Sequence, residues 1–297
     1  MKTYIAYTVL ALVLLVGLVA VKALLGFTPR DTAGDRREVQ HKGVSLVYFA
    51  LGRPGAPVLV MIPSLGRSAS DFNELAETAA ASGYRVLLVE PRGMRKKGGL
   101  DNDRLTLFDL ADDVAAIARR EKTDRHIVIG HAFGNRVARA YATRYERATR
   151  GVVLLAAGGK MDIEPRARDA LVRSFQTWMP DSWRRPYVRY GFFADGNDVP
   201  AYWMRGWNIP TSQMQIRATR NAPSEDWWSG GKAPLLVVQG MADTIAPPEH
   251  TAELLEAEFA GRVSVVRLAK AGHAILPEQP EKTASAVLDF AGLHLSR

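Results

Sequence analysis

A chain of 297 residues, 47% of them apolar, is long enough to bury one large core, so a single catalytic-sized domain is the expectation. The formal charge of +8 is spread along the sequence without a long basic run, and no groove-reading motif is present, so nucleic acid is not an expected partner. Cysteine is absent, which excludes disulfides, thiolate metal sites and a cysteine nucleophile.

Residues 4–21 form an uninterrupted apolar and hydroxyl stretch between Lys2 and Lys22. That is close to the roughly 20 residues needed to cross a bilayer core. A cleaved signal has a shorter apolar run and a small-x-small site, and Val21-Lys22-Ala23 is a poor one. Residues 1–26 are therefore expected to be a single-pass membrane anchor, with a signal segment as the alternative. Lys22, Arg30, Arg36 and Arg37 outnumber the positive charge ahead of the stretch, which favours a cytoplasmic domain, whereas a signal-anchor with a very short head favours the opposite side. Both orientations stay open. Residues 27–37, with Pro29 and Gly34, read as a polar linker holding a domain off the bilayer.

From residue 38 to 297 one rhythm repeats. β-Branched runs at 44–50, 57–62, 84–89, 126–129, 151–155, 234–239 and 263–268 predict strands, and the stretches 70–81, 105–120, 133–145, 248–259 and 281–293 predict helices. This alternation implies an α/β domain with a mostly parallel sheet covered on both faces. Between 160 and 232 there is no strand run, and all six tryptophans fall there: Trp178, Trp183, Trp203, Trp207, Trp227 and Trp228. So many aromatic rings left exposed would be an aggregation liability. The segment is expected to be a helical lid insertion whose inner face lines a pocket, the alternative being a small subdomain packed by its own rings.

In open α/β sheets ligands collect beyond the carboxyl ends of the strands, and four loops there carry chemistry. Gly130-His131-Ala132-Phe133-Gly134 joins a buried strand to a helix, and two glycines around one residue permit the sharp turn of a nucleophile elbow. Asp243 follows a strand and precedes the Pro247-Pro248 helix start, His273 follows the last strand, and Ser64-Leu65 stands in a small-residue loop suited to present a backbone N–H. His131 is expected to pack under the elbow. His41, His126, His250 and His294 show no metal-ligand spacing, and Arg67, Arg92 and Arg95-Lys96-Lys97 read as a solvated face.

Elbow, aspartate and histidine in that order, with an insertion between elbow and aspartate, resemble the α/β-hydrolase superfamily over about residues 38–297. The resemblance implies that Asp243 orients His273, that His273 is general base and acid, and that Leu65 and Phe133 supply oxyanion-hole N–H groups. It further implies hydrolysis of an apolar ester or acyl compound without cofactor or metal. The departure is Ala132 at the nucleophile position, since a methyl group can neither attack a carbonyl nor pass a proton to His273. Three explanations stand: an introduced inactivating substitution; a different nucleophile, either water or the hydroxyl of Ser64 or Ser68; or a non-catalytic ligand-binding or accessory protein on the hydrolase fold. A cofactor-free oxygenase or lyase using His273 alone is a further possibility within the fold.

Overall fold

The computed structural model describes residues 2–95 and 98–295. The chain runs α1 (Lys2–Phe27), β1 (Asp35–His41), β2 (Val44–Leu51), β3 (Val58–Ile62), α2 (Asn73–Ala81), β4 (Arg85–Val89), α3 (Leu107–Arg120), β5 (His126–His131), α4 (Gly134–Arg144) and β6 (Thr149–Leu155). It continues through α5 (Pro165–Ser174), α6 (Asp181–Phe192), α7 (Ile209–Arg220), β7 (Leu235–Gly240), α8 (Ala252–Glu258), β8 (Val263–Leu268), α9 (Ile275–Glu278) and α10 (Pro280–Leu295).

The eight strands form one sheet in the order β1-β2-β4-β3-β5-β6-β7-β8. From β4 to β8 all pairs are parallel, and β3, β4, β5 and β7 are buried at every residue, as the largely apolar composition of these strands fits. β1 and β2 add antiparallel to one edge. Their hairpin turns at Lys42 and Gly43, both at positive φ, the backbone of a two-residue turn that matches strand twist. The sheet carries an apolar layer on each face, one including Val114 and Tyr141, the other Phe72 and Phe290.

Several local expectations are corrected. The start of α3 moves to Leu107 because Thr106 and Asp109 cap each other reciprocally: the Thr106 hydroxyl accepts the Asp109 N–H, and the Asp109 carboxylate accepts the Thr106 N–H. The 248–259 helix is broken at Thr251, whose buried hydroxyl reaches the Gln239 side chain at 3.1 Å, so only Ala252–Glu258 is α-helical. The 27–37 linker is not a free spacer. Arg30 lies 3.8 Å from the centre of the Tyr202 ring and pairs with Glu74 at 2.6 Å, and from Asp35 onward the chain is already β1.

The solvated-face reading also fails. Arg67 is 2% exposed, paired with Asp71 at 2.7 Å, and Arg92 is paired with Asp113 at 2.5 Å, both pairs almost fully buried. Arg95 reaches the buried Glu90, whose carboxyl is pushed up by its burial against the pull of that arginine. Low dielectric makes partners obligatory for such charges, and the partners come from parts of the chain that composition does not connect. Lys96 and Lys97 lie outside the described residues.

Residues 160–232, between β6 and β7, carry α5, α6 and α7. Phe175, Phe192, Phe193, Trp203 and Trp207 pack together there, while Trp227 and Trp228 join the main core. Trp178 and Trp183 are exposed. α1 is long and apolar enough to cross a membrane, and its last turns touch the insertion: Lys22 pairs with Asp181 at 2.6 Å, and the Gly26 carbonyl accepts the Trp207 N–H at 3.1 Å.

Candidate active site

The turn after β5 is forced by close packing. A Cβ on Gly130 would overlap the Asn135 amide, and one on Gly134 would overlap the Ile62 carbonyl at the end of β3. Between them Ala132 has φ +49°, the left-handed region that non-glycine residues enter only when their surroundings hold them there. Those surroundings are explicit: the Ala132 N–H donates to the Leu155 carbonyl at 2.9 Å, and its carbonyl accepts both the backbone N–H and the side-chain amide of Asn135. The methyl so presented lines a cavity of about 340 Å³ beyond the carboxyl ends of the strands.

Asp243 and His273 meet because their loops meet. Gly240, closing β7, backs onto the Gly272 carbonyl with no room for a Cβ, and the Ala242 N–H donates to the Ala271 carbonyl at 2.9 Å. His273 Nδ1 then lies 2.8 Å from Asp243 Oδ2, with both side chains buried. The other oxygen, Oδ1, accepts the N–H groups of Ile245 and Ala246 at 2.9 and 2.8 Å, so the carboxylate is oriented by its own loop. The histidine loop is held as firmly: Glu278 accepts the Gly272 N–H at 2.7 Å, and the Ala274 N–H donates to the Phe192 carbonyl at 2.7 Å. The His273 ring lines the same cavity as Ala132.

His131 does more than pack. It is fully buried, and its Nε2 donates to the His273 carbonyl at 2.9 Å, which assigns the proton to Nε2 and leaves Nδ1 buried without a partner among the described residues. Its burial, and next the neighbouring His273, push its pKa down to about 4; burial does the same for His126. Because the folded values lie below the unfolded value near 6.5, the unfolded chain binds more protons between these limits. The stability these neutral rings contribute is present above about pH 6.5 and lost as pH falls toward 4. Denaturant midpoints are expected to drop across that window, and His126→Gln is expected to flatten the drop; an unchanged slope in the variant would show that His126 is not a titrating group behind it.

Ser64, Leu65 and Phe133 line the cavity with Ala132 and His273. Among the described residues neither the Leu65 nor the Phe133 N–H has a protein acceptor. Ser68 is placed elsewhere: its buried hydroxyl donates to Glu90 at 3.1 Å and accepts the Ser70 N–H. The geometry thus brings together Ala132, His273, Asp243, Leu65, Phe133 and Ser64 and leaves Ser68 out. A hollow of about 460 Å³ between Pro57, Arg85, Glu121 and Arg150 contains none of them.

Leu171, Phe192, Trp207 and Ile245 give the cavity an apolar wall, and Arg136 enters it from α4. Arg136 is absent from the sequence-derived site; its only signal is that it stands four residues beyond Ala132 on the helix that the elbow opens.

The alpha/beta hydrolase family model matches residues 59–286. Over 254 residues the chain is 26% identical to the protein named "Putative carbamate hydrolase RutD" of Rhizobium rhizogenes, covering 81% of this chain and 94% of that one. It is 23% identical over 252 residues to Protein ABHD8 of Bos taurus, covering 78% of this chain and 55% of that protein, so it spans only about half of ABHD8. A crystal structure described as a membrane phospholipase A, a novel bacterial virulence factor, superposes with a TM-score of 0.70 at 20% identity, covering 100% of both chains, which is a likeness of fold. With the family match extending from β3 into α10, and therefore over every loop that builds the cavity, the chain belongs to the alpha/beta hydrolase family.

Proposed function

We propose that the protein is a hydrolase of an ester or related acyl compound with an apolar body, in which Asp243 orients His273 and His273 works on a water molecule. The observation that carries this is the 2.8 Å contact between His273 and Asp243 at a cavity that the Leu65 and Phe133 loops also line. His273 Nε2 takes a proton from water as the water oxygen bonds to the acyl carbon, and the carbonyl oxygen gathers negative charge against the two N–H groups. The bond to the leaving alcohol then breaks, and His273 returns the proton to it, giving acid and alcohol. Such a site, lacking the serine, retains roughly a thousand- to ten-thousand-fold acceleration over water. The Ser64 hydroxyl is the alternative nucleophile.

Residues 160–232 serve as the lid, and α1 as the anchor. The Lys22–Asp181 pair and the Gly26–Trp207 hydrogen bond support a roof held at the membrane end of the molecule. The names of the relatives, a carbamate hydrolase and a membrane phospholipase, favour acyl chemistry on a small molecule. One observation favours a second reading, a non-catalytic ligand-binding or accessory protein: the methyl of Ala132 itself.

Turnover of short p-nitrophenyl esters by the unaltered protein tests the choice. The rate is expected to be weak and to fall about a hundredfold or more in His273→Ala, while Ser64→Ala leaves it intact. A loss in Ser64→Ala moves the nucleophile to that residue. Binding of apolar ligands with no turnover supports the second reading instead.

A further inference from the structure

Arg136 lines the cavity one helical turn beyond the elbow. Its guanidinium packs on Gly158, with Nη2 3.4 Å from where a Cβ on that residue would stand, and its centre is 5.7 Å from the Trp227 ring centre. Among the described residues it has no carboxylate and no carbonyl partner, and burial alone pushes its pKa down. Other buried arginines are not left so: Arg67 has Asp71, Arg92 has Asp113, Arg85 has Glu121, and Arg184 has the carbonyls of Ser174 and Met204.

A second guanidinium stands behind it. Arg139 is fully buried between Trp227 and Trp228, 4.8 and 4.4 Å from their ring centres, and donates to Asn135 and to the Gly158 carbonyl. Among the described residues its Nε and Nη1 have no partner. The carboxylate nearest in effect, Glu258, is already taken by Lys160 and by the Trp228 indole N–H. Arg220, exposed, lines the same cavity, and among the described residues no acidic side chain does. A half-buried guanidinium with no acid beside it among the described residues is favoured by an incoming anion, and its planar fork fits the two oxygens of a carboxylate or phosphate.

We propose that Arg136 is the docking point for an anionic oxyacid group carried by an otherwise apolar ligand, whose body lies along Leu171, Phe192 and Trp207. This rests on the reading of the cavity as the ligand site and narrows its ligands to amphiphilic anions. Arg136 is a specificity residue: it selects the ligand without touching the reacting atoms.

The test is ligand affinity for the full-length protein in nanodiscs, read by tryptophan fluorescence, with octanoate, octyl phosphate and methyl octanoate as probes. Octanoate or octyl phosphate is expected to weaken about tenfold or more in Arg136→Gln, while methyl octanoate binds as before, which also shows that the variant is folded. Arg136→Lys is expected to recover part of the loss. The anion that weakens most identifies carboxylate or phosphate as the natural group. If Arg136→Gln leaves the anions unaffected while all three probes bind, the anion site is overturned and the apolar cavity stands. If none of the probes binds, the cavity reading falls together with it.

Discussion

Ala132→Ser is expected to raise ester hydrolysis by about a hundredfold or more over the unaltered chain. The exchange adds one oxygen to a Cβ that already lines the cavity with His273: the backbone at 132 is held at φ +49° by its hydrogen bond to the Leu155 carbonyl and those it accepts from Asn135, so serine needs no new turn. His273 is oriented by Asp243, and the N–H groups of Leu65 and Phe133 have no protein acceptor among the described residues. All that the serine mechanism requires beyond this is the hydroxyl, which converts direct attack by water into an acyl-enzyme route. The measurement is kcat/KM on p-nitrophenyl acetate and butyrate, with labelling by a fluorophosphonate probe as an independent readout. Labelling confined to the serine variant would place residue 132 at the nucleophile position. A folded variant that binds ligand yet neither labels nor turns over would sink the proposed alignment of elbow and histidine.

Asp71→Ala is expected to cost about 3–5 kcal/mol of stability, because it strands a charge that water cannot reach. Arg67 and Asp71 form a two-pronged pair at 2.8 and 2.7 Å, each side chain 3% exposed. The guanidinium is enclosed between Trp203 and Trp207, 4.6 and 4.7 Å from their ring centres, and also donates to the Arg205 carbonyl at 2.6 Å. Removing the carboxylate leaves the cation among indole rings without a counter-charge. A fall in melting temperature on the order of 10 °C is the expected reading, with most of it recovered in Arg67→Met/Asp71→Leu, which removes both charges. A fall of only a degree or two in Asp71→Ala would mean that water reaches the arginine after all.

The amino-acid sequence by itself determined the elements whose cause is local. Strands β3 and β7 were legible because a strand buried on both faces must be apolar at every position, and Val58–Ile62 and Leu235–Gly240 are almost so. The elbow was legible because Gly130 and Gly134 answer a steric demand of adjoining backbone, and the order Ala132, Asp243, His273 then placed the chemistry at the strand ends. The edge strand β1 was not legible: Asp35–His41 is polar and largely open to solvent, so it carries no alternation, and its pairing with β2 supplies the order.

Only the tertiary structure decided where the charges lie and which of them have partners. Arg67 and Arg136 look alike in sequence, each a basic residue in a helix-opening loop or first turn. One is satisfied by Asp71 and by a carbonyl 138 residues away, while the other faces a cavity without an acid. The His131 contact with the His273 carbonyl spans 142 residues, and the aim of Ser68 at Glu90 rather than into the cavity depends on how two loops pack. Periodicity reports which side of an element is buried, because burial acts on each residue alone; a hydrogen bond or ion pair depends on two residues at once, and their meeting is a property of the folded chain.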